Sequence, residues 1–406
     1  MNAMSPALTL DPELLTRVLA AIDDIKNGKM VIVVDDEDRE NEGDLTMAAE
    51  HVTPEAVNFM AKWGRGLICL TLTEEAIERL KLPLMEQAGR GAPPLGTAFT
   101  VSVEARQGVT TGISAQDRAH TMKVAADPSS GPEDLVIPGH VFPLRARNGG
   151  VLVRTGQTEG AVDLARLAGL TPAGIICEVM NDDGSMARMP DLEVFAEQHG
   201  MRIVSIADLV QYRMHTEPLV TRIREDELVL DQTGTPWRAV SFRATSGSAE
   251  LLALVRVPEG AAENGSTTFF DPAQPVLVRV HRGHWVQDLF SSTKPEGGGR
   301  ILRESIRRIE EEGAGVVVYL PPQGTLVAEL ERLAPDAVAG PAPKQEAVLR
   351  EFGLGAQVLA DLGIGKIRLL SGRPRKIAGL AGFGLEIVER VSLFGEAPST
   401  ADLGEK

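Results

Sequence analysis

The chain has 406 residues, a formal net charge of −16 and two cysteines. The negative charge argues against nucleic acid as a partner, and two tyrosines and three tryptophans offer no platform for stacking single-stranded bases. There is no apolar run of about 18 residues, so we expect no membrane span. Met1–Pro12 lacks the basic and apolar regions of a secretory signal. We therefore expect a cytoplasmic protein in which Cys69 and Cys177 are buried and unbridged.

The first half of the chain alternates between helical and strand patterns. Leu14–Asn27 has apolar residues at helical spacing and ends at Gly28, and Thr53-Pro54 begins a second helix with a cap and a proline. Because strands and helices interleave from there on, the predicted fold class is α/β. Further patterns predict strands at Leu67–Leu72, Ala98–Ala105, Gly150–Val153 and Ala173–Met180, helices from Ser114 and at Ala161–Ala168, Leu192–Gln198 and Ile206–Met214, and turn-rich connections at Leu80–Gly96 and Gly131–Pro143.

An acidic run follows the predicted buried strand Met30–Val34. The ten positions Asp35–Asp44 hold seven carboxylates, interrupted by Arg39, Asn41 and Gly43. One interpretation is a solvated hairpin tip. The other is a site for a divalent cation and a polyol, because Mg²⁺ and Mn²⁺ prefer carboxylate oxygens and leave room for hydroxyl groups. The position at the end of a strand favours the second interpretation, since open α/β sheets bind their ligands there.

A second polar stretch, Arg154–Glu159, leads into the predicted helix Ala161–Ala168. Backbone N–H groups at the start of a helix and a nearby arginine converge on one point. This arrangement predicts an anion site.

After Glu217-Pro218 the pattern changes. The sequence predicts an amphipathic helix at Ile301–Glu312 that ends at Gly313. The remaining predicted elements are strands at Leu251–Val257, Val276–His281, Val316–Leu320, Lys366–Ser371 and Leu385–Val391, and a helix at Ala356–Leu362.

Four stretches carry a family resemblance: VVDDEDRENEGDL, AFTVSVEARQGVTTGISAQDRAHT, IPGHVFPLRARNGGVLVRTGQTEGAVDLARLAGL and Cys177-Glu178. They resemble 3,4-dihydroxy-2-butanone 4-phosphate synthase over residues 14–215. Residues 219–395 resemble the GTP cyclohydrolase II domain to which that synthase is often fused, and both enzymes belong to riboflavin biosynthesis. We therefore expect two α/β domains, each a mixed sheet flanked by helices, between flexible tails at 1–13 and 396–406.

The resemblance implies a lyase that converts D-ribulose 5-phosphate to L-3,4-dihydroxy-2-butanone 4-phosphate and formate with Mg²⁺ or Mn²⁺, two ions being possible. It implies Glu40 as a metal ligand, His140 and Glu178 as catalytic residues, and a homodimer. Such a reaction builds negative charge on adjacent oxygens, which a cation stabilises while carboxylates and a histidine move protons. Contacts with the sugar phosphate are implied for Arg39, Glu40, Asp44, Arg154, Thr155, Gly156, Gln157, Thr158 and Glu178.

The first departure from the family lies within the predicted site. The family pattern is Arg-x-Gly-His-Thr-Glu, and its histidine is the second metal ligand, whereas this chain has Gln157 at that position. A glutamine carbonyl can bind a hard cation but is a neutral and weaker ligand than imidazole for Mn²⁺. The expectation is a synthase with a higher metal requirement; an inactive domain is the alternative.

The second departure concerns the zinc site of cyclohydrolase II, which uses three cysteines. The second half of this chain contains no cysteine. His281-Arg282-Gly283-His284 replaces the family's His-Ser-Glu-Cys, and Pro295 and Gly297 replace the other two cysteines. The catalytic loop, usually Gln-Glu-Gly-Arg-Gly, reads Pro322–Leu326 here and lacks its arginine. Two histidines at this spacing supply only two ligands, so we expect no zinc and a degenerate second domain that keeps its framework, including Arg373–Lys376.

These departures leave three hypotheses. The first is a synthase with a degenerate second domain. The second is a non-catalytic paralogue that acts as a subunit or regulator of the pathway. The third, a bifunctional enzyme that also opens GTP, is disfavoured by the missing cysteines.

Overall fold

A computed structural model describes residues 11–37, 39–85, 97–245, 249–258, 268–290, 298–322, 325–333, 345–371 and 385–394. The chain separates into two compact units, Asp11–Arg213 and the part from Met214 onwards. The domain limits expected from the sequence, 14–215 and 219–395, remain a prediction. Outside the described residues lie most of the two predicted tails, residues 86–96 of the predicted connection, Pro295, Gly297 and Arg373–Lys376.

The first unit contains a seven-stranded sheet with the order β4-β5-β3-β6-β2-β1-β7. The pairs β1/β7 and β3/β5 are parallel and the others are antiparallel, so the sheet is mixed. Its strands are β1 (Val31–Val34), β2 (Gly43–Ala48), β3 (Cys69–Leu72), β4 (Val103–Ala105), β5 (Leu135–Arg145), β6 (Ala173–Glu178) and β7 (Ile203–Ser205). Its helices are α1 (Pro12–Lys26), α2 (Pro54–Phe59), α3 (Glu74–Arg79), α4 (Ala115–Ala126), α5 (Gln157–Leu167), α6 (Met189–His199) and α7 (Ile206–Thr216).

Local sequence chemistry explains where these elements begin. All four residues of β1 are buried, as expected of a short run of β-branched side chains in a sheet core. The hydroxyl of Thr53 accepts a hydrogen bond from the Ala56 N–H and begins α2, and Ser114 does the same for the Asp117 N–H at the start of α4. Both predicted helix starts are therefore present.

Two predicted elements of the first unit are wrong. Gly131–Pro143 was expected to be turn-rich, but β5 runs through most of it. The strand tolerates Pro138 and Gly139 because they lie in a large bulge of β5. On the partner strand β4, Val103 pairs with Val141 and the next residue, Glu104, pairs with Val136, so the intervening residues of β5 have no partner on β4.

The other wrong element is the strand at Gly150–Val153. Residues Gly150–Leu152 form a 3₁₀ turn instead. Gly149 and Gly150 both have positive φ, +95° and +61°, which an extended strand does not allow. The turn is held by the Val151 N–H, which donates to the buried carboxylate of Asp163.

The second unit has its own seven-stranded mixed sheet, with the order β14-β13-β11-β12-β10-β9-β8. The sequence patterns did not predict the first two strands of this unit, β8 and β9. Strand β8 is a charged and largely exposed edge strand without clear alternation. The strands are β8 (Val220–Val229), β9 (Pro236–Ala244), β10 (Glu250–Arg256), β11 (Pro275–Arg282), β12 (Gly315–Leu320), β13 (Lys366–Ser371) and β14 (Glu386–Ser392). The helices are α8 (Trp285–Phe290), α9 (Gly298–Glu312), α10 (Leu326–Leu333) and α11 (Gln345–Asp361).

Cys69 and Cys177 are buried free thiols, as the sequence predicted. Burial raises the pKa of the Cys177 thiol to about 12, so the thiol stays protonated at neutral pH. In the described part of the chain, no helix is both long enough and apolar enough to cross a bilayer.

Candidate active site

The predicted site residues gather at one edge of the first sheet. At this edge β1 ends, β2 begins and β6 ends, and Asp44 lies directly opposite Glu178 on neighbouring strands. Helix α5 runs into β6 through a short connection, so its first turn lies at the same edge. Cys69, at the start of β3, pairs with Phe142 on the parallel strand β5 and with Ile176 on the antiparallel strand β6. His140 lies two residues before Phe142 and Glu178 lies two residues after Ile176, so both lie beyond the same end of β3. His140 therefore also lies at this edge.

Arg39 organises the acidic hairpin between β1 and β2. Its Nη1 donates to Asp35 Oδ2 at 2.6 Å, to Glu40 Oε2 at 2.9 Å and to Gln157 Oε1 at 2.9 Å. The backbone N–H groups of Glu40 and Glu42 donate to the Asp35 carboxylate, whose side chain is fully buried. The crowded carboxylates are thus offset by a central guanidinium and by backbone donors.

A second arginine closes the hairpin from α6. Arg188 Nη1 donates to the backbone carbonyl of Glu40 at 2.7 Å and to that of Asn41. Asn41 has a φ of +54°, so the chain turns sharply here and presents both carbonyls to Arg188. Arg188 therefore fixes the Glu40–Asn41 part of the hairpin, while Asp36 and Glu37 are exposed to solvent.

The N-terminus of α5 faces this hairpin. Gly156 lies at the cap position and has no side chain to occupy the first N–H groups of the helix. A Cβ atom at Gly156 would lie 2.3 Å from Arg154 Nη1 and 3.0 Å from Arg39 Nη2, so both guanidinium groups approach this residue. Thr155 precedes Gly156, and Thr158 is buried in the first turn. Two guanidinium groups and a helix N-terminus, here called the positive corner, meet at Gly156, although both guanidinium groups are also paired with carboxylates.

Arg154 is itself held in place. Its Nη1 donates to Glu159 Oε2 at 2.6 Å and its Nη2 donates to Thr97 Oγ1 at 2.9 Å. Glu159 is almost fully buried and also accepts from the Arg147 N–H. The orientation of this guanidinium is therefore fixed before any ligand binds.

Asp44, which is buried, and Glu178, which is partly buried, are neighbouring acids. Burial raises the pKa of the Asp44 carboxyl well above its usual value, and the adjacent charge of Glu178 raises it further. Burial also raises the pKa of Glu178, although a hydrogen bond from the Leu67 N–H to its Oε2, 2.8 Å long, partly opposes the shift. Such a pair holds a proton more readily than exposed carboxylates do and can pass it to a substrate.

His140 contacts a residue that the sequence analysis did not single out. Its Nδ1 lies 2.6 Å from Glu104 Oε2, and its side chain is 45% exposed. Glu104 lies on β4, within the predicted strand Ala98–Ala105. The alternating pattern there contains no signal that this carboxylate is buried.

Two further residues were missed by sequence reasoning. Asp35 appeared only as one acid among seven, and nothing in the sequence marks it as the one that accepts three hydrogen bonds. Arg188 is distant in sequence from the hairpin and becomes its neighbour only through the fold.

The two residues proposed as metal ligands, Glu40 and Gln157, converge on one point. The same nitrogen, Arg39 Nη1, lies 2.9 Å from an oxygen of each. The Gln157 side chain is buried, its carbonyl oxygen faces Arg39, and its Nε2 has no hydrogen-bond partner among the described residues. The donor set thus consists of hard oxygens that suit Mg²⁺ or Mn²⁺, but a cation that used both oxygens would have to displace Arg39 Nη1. Within the described residues there is no cluster of three or more His, Cys, Asp or Glu side chains that could hold a metal ion.

In the second unit, His281 and the backbone of His284 belong to a hydrogen-bond network centred on Asp288. His281 is buried, with its Nε2 3.1 Å from Asp288 Oδ1. Asp288 Oδ2 accepts from the Tyr319 hydroxyl at 3.0 Å and from the His284 N–H at 2.8 Å. The His281 ring is therefore bound to a carboxylate on α8.

Comparisons with known proteins give a family match for each of the two units. The family model for 3,4-dihydroxy-2-butanone 4-phosphate synthase matches residues 19–212, and the model for GTP cyclohydrolase II matches residues 221–392. The riboflavin biosynthesis protein RibBA of Aquifex aeolicus is 48% identical over 385 residues, which is 92% of this chain and 91% of that protein. A 3,4-dihydroxy-2-butanone 4-phosphate synthase of Pseudomonas syringae pv. tomato is 48% identical over 382 residues, 93% of this chain and 99% of that protein.

A solved structure resembles the chain over both units. It is RibBX of A. baumannii, a two-domain 3,4-dihydroxy-2-butanone 4-phosphate synthase, with a TM-score of 0.70 and 39% identity, covering 93% of this chain and 98% of the other. The chain belongs to the 3,4-dihydroxy-2-butanone 4-phosphate synthase family of riboflavin biosynthesis, in its two-domain form with a GTP cyclohydrolase II-type domain.

Proposed function

We propose that the first domain is a lyase that converts D-ribulose 5-phosphate to L-3,4-dihydroxy-2-butanone 4-phosphate and formate. The observation that carries this proposal is the meeting of three groups at one sheet edge: the arginine-centred acidic hairpin, the N-terminus of α5 and the Asp44–Glu178 pair. Each supplies one requirement of the reaction, namely binding of oxygens, binding of a phosphate and transfer of protons.

The positive corner at Gly156 binds the phosphate of the sugar. The first N–H groups of α5, Arg154 and Arg39 all lie beside Gly156, where any side chain would obstruct a bound anion. Thr155 and Thr158 flank this position and supply hydroxyl groups. Because Glu159 and Thr97 hold Arg154, little ordering entropy is lost when the phosphate binds.

Proton transfer falls to Glu178, Asp44 and His140. The pKa values of the two acids are raised by burial, which favours a shared proton on the pair that one acid donates to a departing hydroxyl group while the other group accepts. His140 adds a base on the exposed side of the same edge.

Glu40 and Gln157 would hold the divalent cation, Mg²⁺ or Mn²⁺, and the carbonyl of Gln157 would be the weaker of the two ligands. A bound cation supplies charge stabilisation for the adjacent oxygens of the sugar. Arg39, freed from these two oxygens, keeps its bond to Asp35 and stays beside the phosphate position.

The native protein and Gln157→His, assayed for formate release from ribulose 5-phosphate across a Mn²⁺ and Mg²⁺ titration, test this function. We expect turnover by both proteins, with the variant reaching half-maximal rate at roughly ten-fold lower Mn²⁺ because imidazole is the better ligand. Gln157→Met is the matched control: it has a similar volume but no oxygen ligand, and we expect a higher metal requirement than in the native protein. No formate from either the native protein or Gln157→His at millimolar metal would refute the proposal and favour a non-catalytic subunit or regulator.

We also propose that the second domain is degenerate and does not open GTP. The full sequence has no cysteine beyond Cys177, and His284, Pro295 and Gly297 stand where the resemblance places the three zinc cysteines, so the thiolate ligands are absent. The retained mixed sheet makes a supporting or scaffolding role the best account of this domain. By the same resemblance, we propose that the protein is a cytoplasmic homodimer with a sugar phosphate as its ligand.

Metal analysis of the purified full chain tests the second proposal. We expect substoichiometric zinc and no formate from GTP, because two histidines cannot complete a tetrahedral site. Stoichiometric zinc together with formate release from GTP by the native chain would establish a bifunctional enzyme.

A further inference from the structure

Glu104 is a buried carboxylate with an unusual set of partners. It is 8% exposed, and Thr121 Oγ1 on α4 donates to its Oε1 at 3.0 Å. The same hydroxyl accepts from the Ala105 N–H, so both groups are fixed in place. Among the described residues, the one ion-pair partner of Glu104 is His140, at 2.6 Å from its Oε2. A buried carboxylate is costly unless it is paired, and here the pairing depends on an imidazole.

The loop before α4 is shaped around this contact. A Cβ atom at Gly112 would lie 1.8 Å from Glu104 Oε2 and 2.6 Å from His140 Nδ1, and Gly112 has a φ of +88°. Asp117 holds the loop there by accepting from the Gly112 N–H and from the N–H and hydroxyl of Thr110. Only a residue without a side chain leaves room for the bond between Glu104 and His140.

We propose that Glu104 is a positioning residue for His140 in the lyase reaction. This inference rests on the proposed function. The carboxylate holds a proton on Nδ1, which leaves the lone pair of Nε2 to accept a proton from the substrate, and it stabilises the imidazolium that forms. In that step one N–H bond forms at Nε2 while the electron pair of the broken bond stays on the substrate. The ring later gives the same proton to the departing hydroxyl group and becomes neutral again.

Nitrogen-15 NMR of the histidine rings tests the geometry without any assay. The resonances of His140 are assigned by their loss in His140→Asn from a spectrum with seven histidines. In the native protein we expect the neutral ring to carry its proton on Nδ1, and in Glu104→Met, which has no acceptor, we expect this preference to disappear. A native ring protonated on Nε2 would overturn the proposal.

Steady-state kinetics tests the catalytic consequence. Glu104→Gln keeps the shape but not the charge, and we expect kcat to fall by about 10²-fold or more with little change in KM. If Glu104→Met does not fold, Glu104→Gln and the native spectrum still decide the question. An unchanged kcat in Glu104→Gln would overturn the inference and leave the proposed function intact. No formate from the native enzyme would refute the function, while the spectrum would still report on the pair.

Gly112→Ala and Gly169→Ala form a matched pair for the same question. Both glycines have positive φ, +88° and +76°, so alanine causes similar backbone strain at each. A Cβ atom at Gly169 would meet no described residue within 4 Å, whereas one at Gly112 would meet Glu104 and His140. We expect both variants to lose some stability, but only Gly112→Ala to lose the Nδ1–H form of His140 and most of kcat. Equal kinetic losses in the two variants would contradict the proposal.

Discussion

Glu40→Gln lowers the rate of formate release by about 10²–10³-fold and weakens divalent-cation binding by at least about ten-fold. The reason is that Glu40 supplies an anionic oxygen at the point where Gln157 also converges, and its side chain is 28% exposed, whereas the Asp35 carboxylate on the same Arg39 nitrogen is fully buried. Stability changes little, because Arg39 keeps its stronger bond to the buried Asp35. Isothermal titration with Mn²⁺ and steady-state kinetics measure both effects.

Glu42→Gln is the control for this prediction. Glu42 lies in the same hairpin with similar exposure, 23% for its side chain, but it faces Arg188 at 4.0 Å and not the convergence point. We expect its cation affinity and kcat to stay within about three-fold of the native values, as is typical for an exposed ion pair. If the two variants lost affinity equally, the hairpin would act through its total charge and not through a ligand at Glu40.

Asp44→Asn removes activity while it stabilises the fold. The buried carboxyl is needed for proton transfer, so we expect kcat to fall by at least about 10²-fold. At pH 8 the charged form of Asp44 is disfavoured by burial and by Glu178, and its removal raises stability by about 1 kcal/mol or more, or about 2–4 °C in Tm. Thermal unfolding followed by circular dichroism, together with the formate assay, measures these opposite changes.

The stabilisation by Asp44→Asn depends on pH in a defined direction. The folded-state pKa of Asp44 is raised, so the stability contributed by its protonated form is complete below about pH 4 and is lost as pH rises through that raised pKa. The increase in unfolding free energy that Asp44→Asn brings is therefore near zero at acid pH and largest at alkaline pH. A gain that is independent of pH, or largest in acid, would contradict the assignment of Asp44 as a destabilised acid.

Asp163→Asn gives the contrasting control. Asp163 is also buried, but it is paired with the buried Arg213 at 2.7 Å and accepts from the Val151 N–H. Removing its charge takes a buried ion-pair partner away from the Arg213 guanidinium, so we expect destabilisation by about 3 kcal/mol. The two substitutions thus change stability in opposite directions, although each replaces a buried aspartate with asparagine.

Much of the fold could be predicted from the sequence, because local chemistry and long-range packing agree there. The β-branched run that forms β1, the cap at Thr53 and the amphipathic pattern of α9 each determine an element without reference to distant residues. Prediction failed at β5 because Pro138 and Gly139 usually mark a turn, and the bulge that accommodates them is a property of the partner strand. It failed at β8 because a charged edge strand lacks the alternation of a half-buried one.

The site could be predicted only in part, for a similar reason. The acidic hairpin and the start of α5 are contiguous in sequence, so their chemistry is visible in the residue types. The supporting contacts join distant segments: Arg188 reaches the hairpin from α6, and Glu104 reaches His140 across β4 and β5. Burial also determines which carboxylates of the hairpin lie in the core. No pattern within Asp35–Asp44 separates the buried Asp35 and Asp44 from the other acids.

The most direct test of the central claim is a crystal structure of the full chain with ribulose 5-phosphate and Mg²⁺, using Glu178→Gln to slow turnover. The account predicts a cation within about 2.1 Å of a Glu40 oxygen, sugar hydroxyls on that cation, and the phosphate at the start of α5 beside Arg154. A sugar bound at another place, with Glu40 still paired to Arg39 and no cation beside it, would contradict the account.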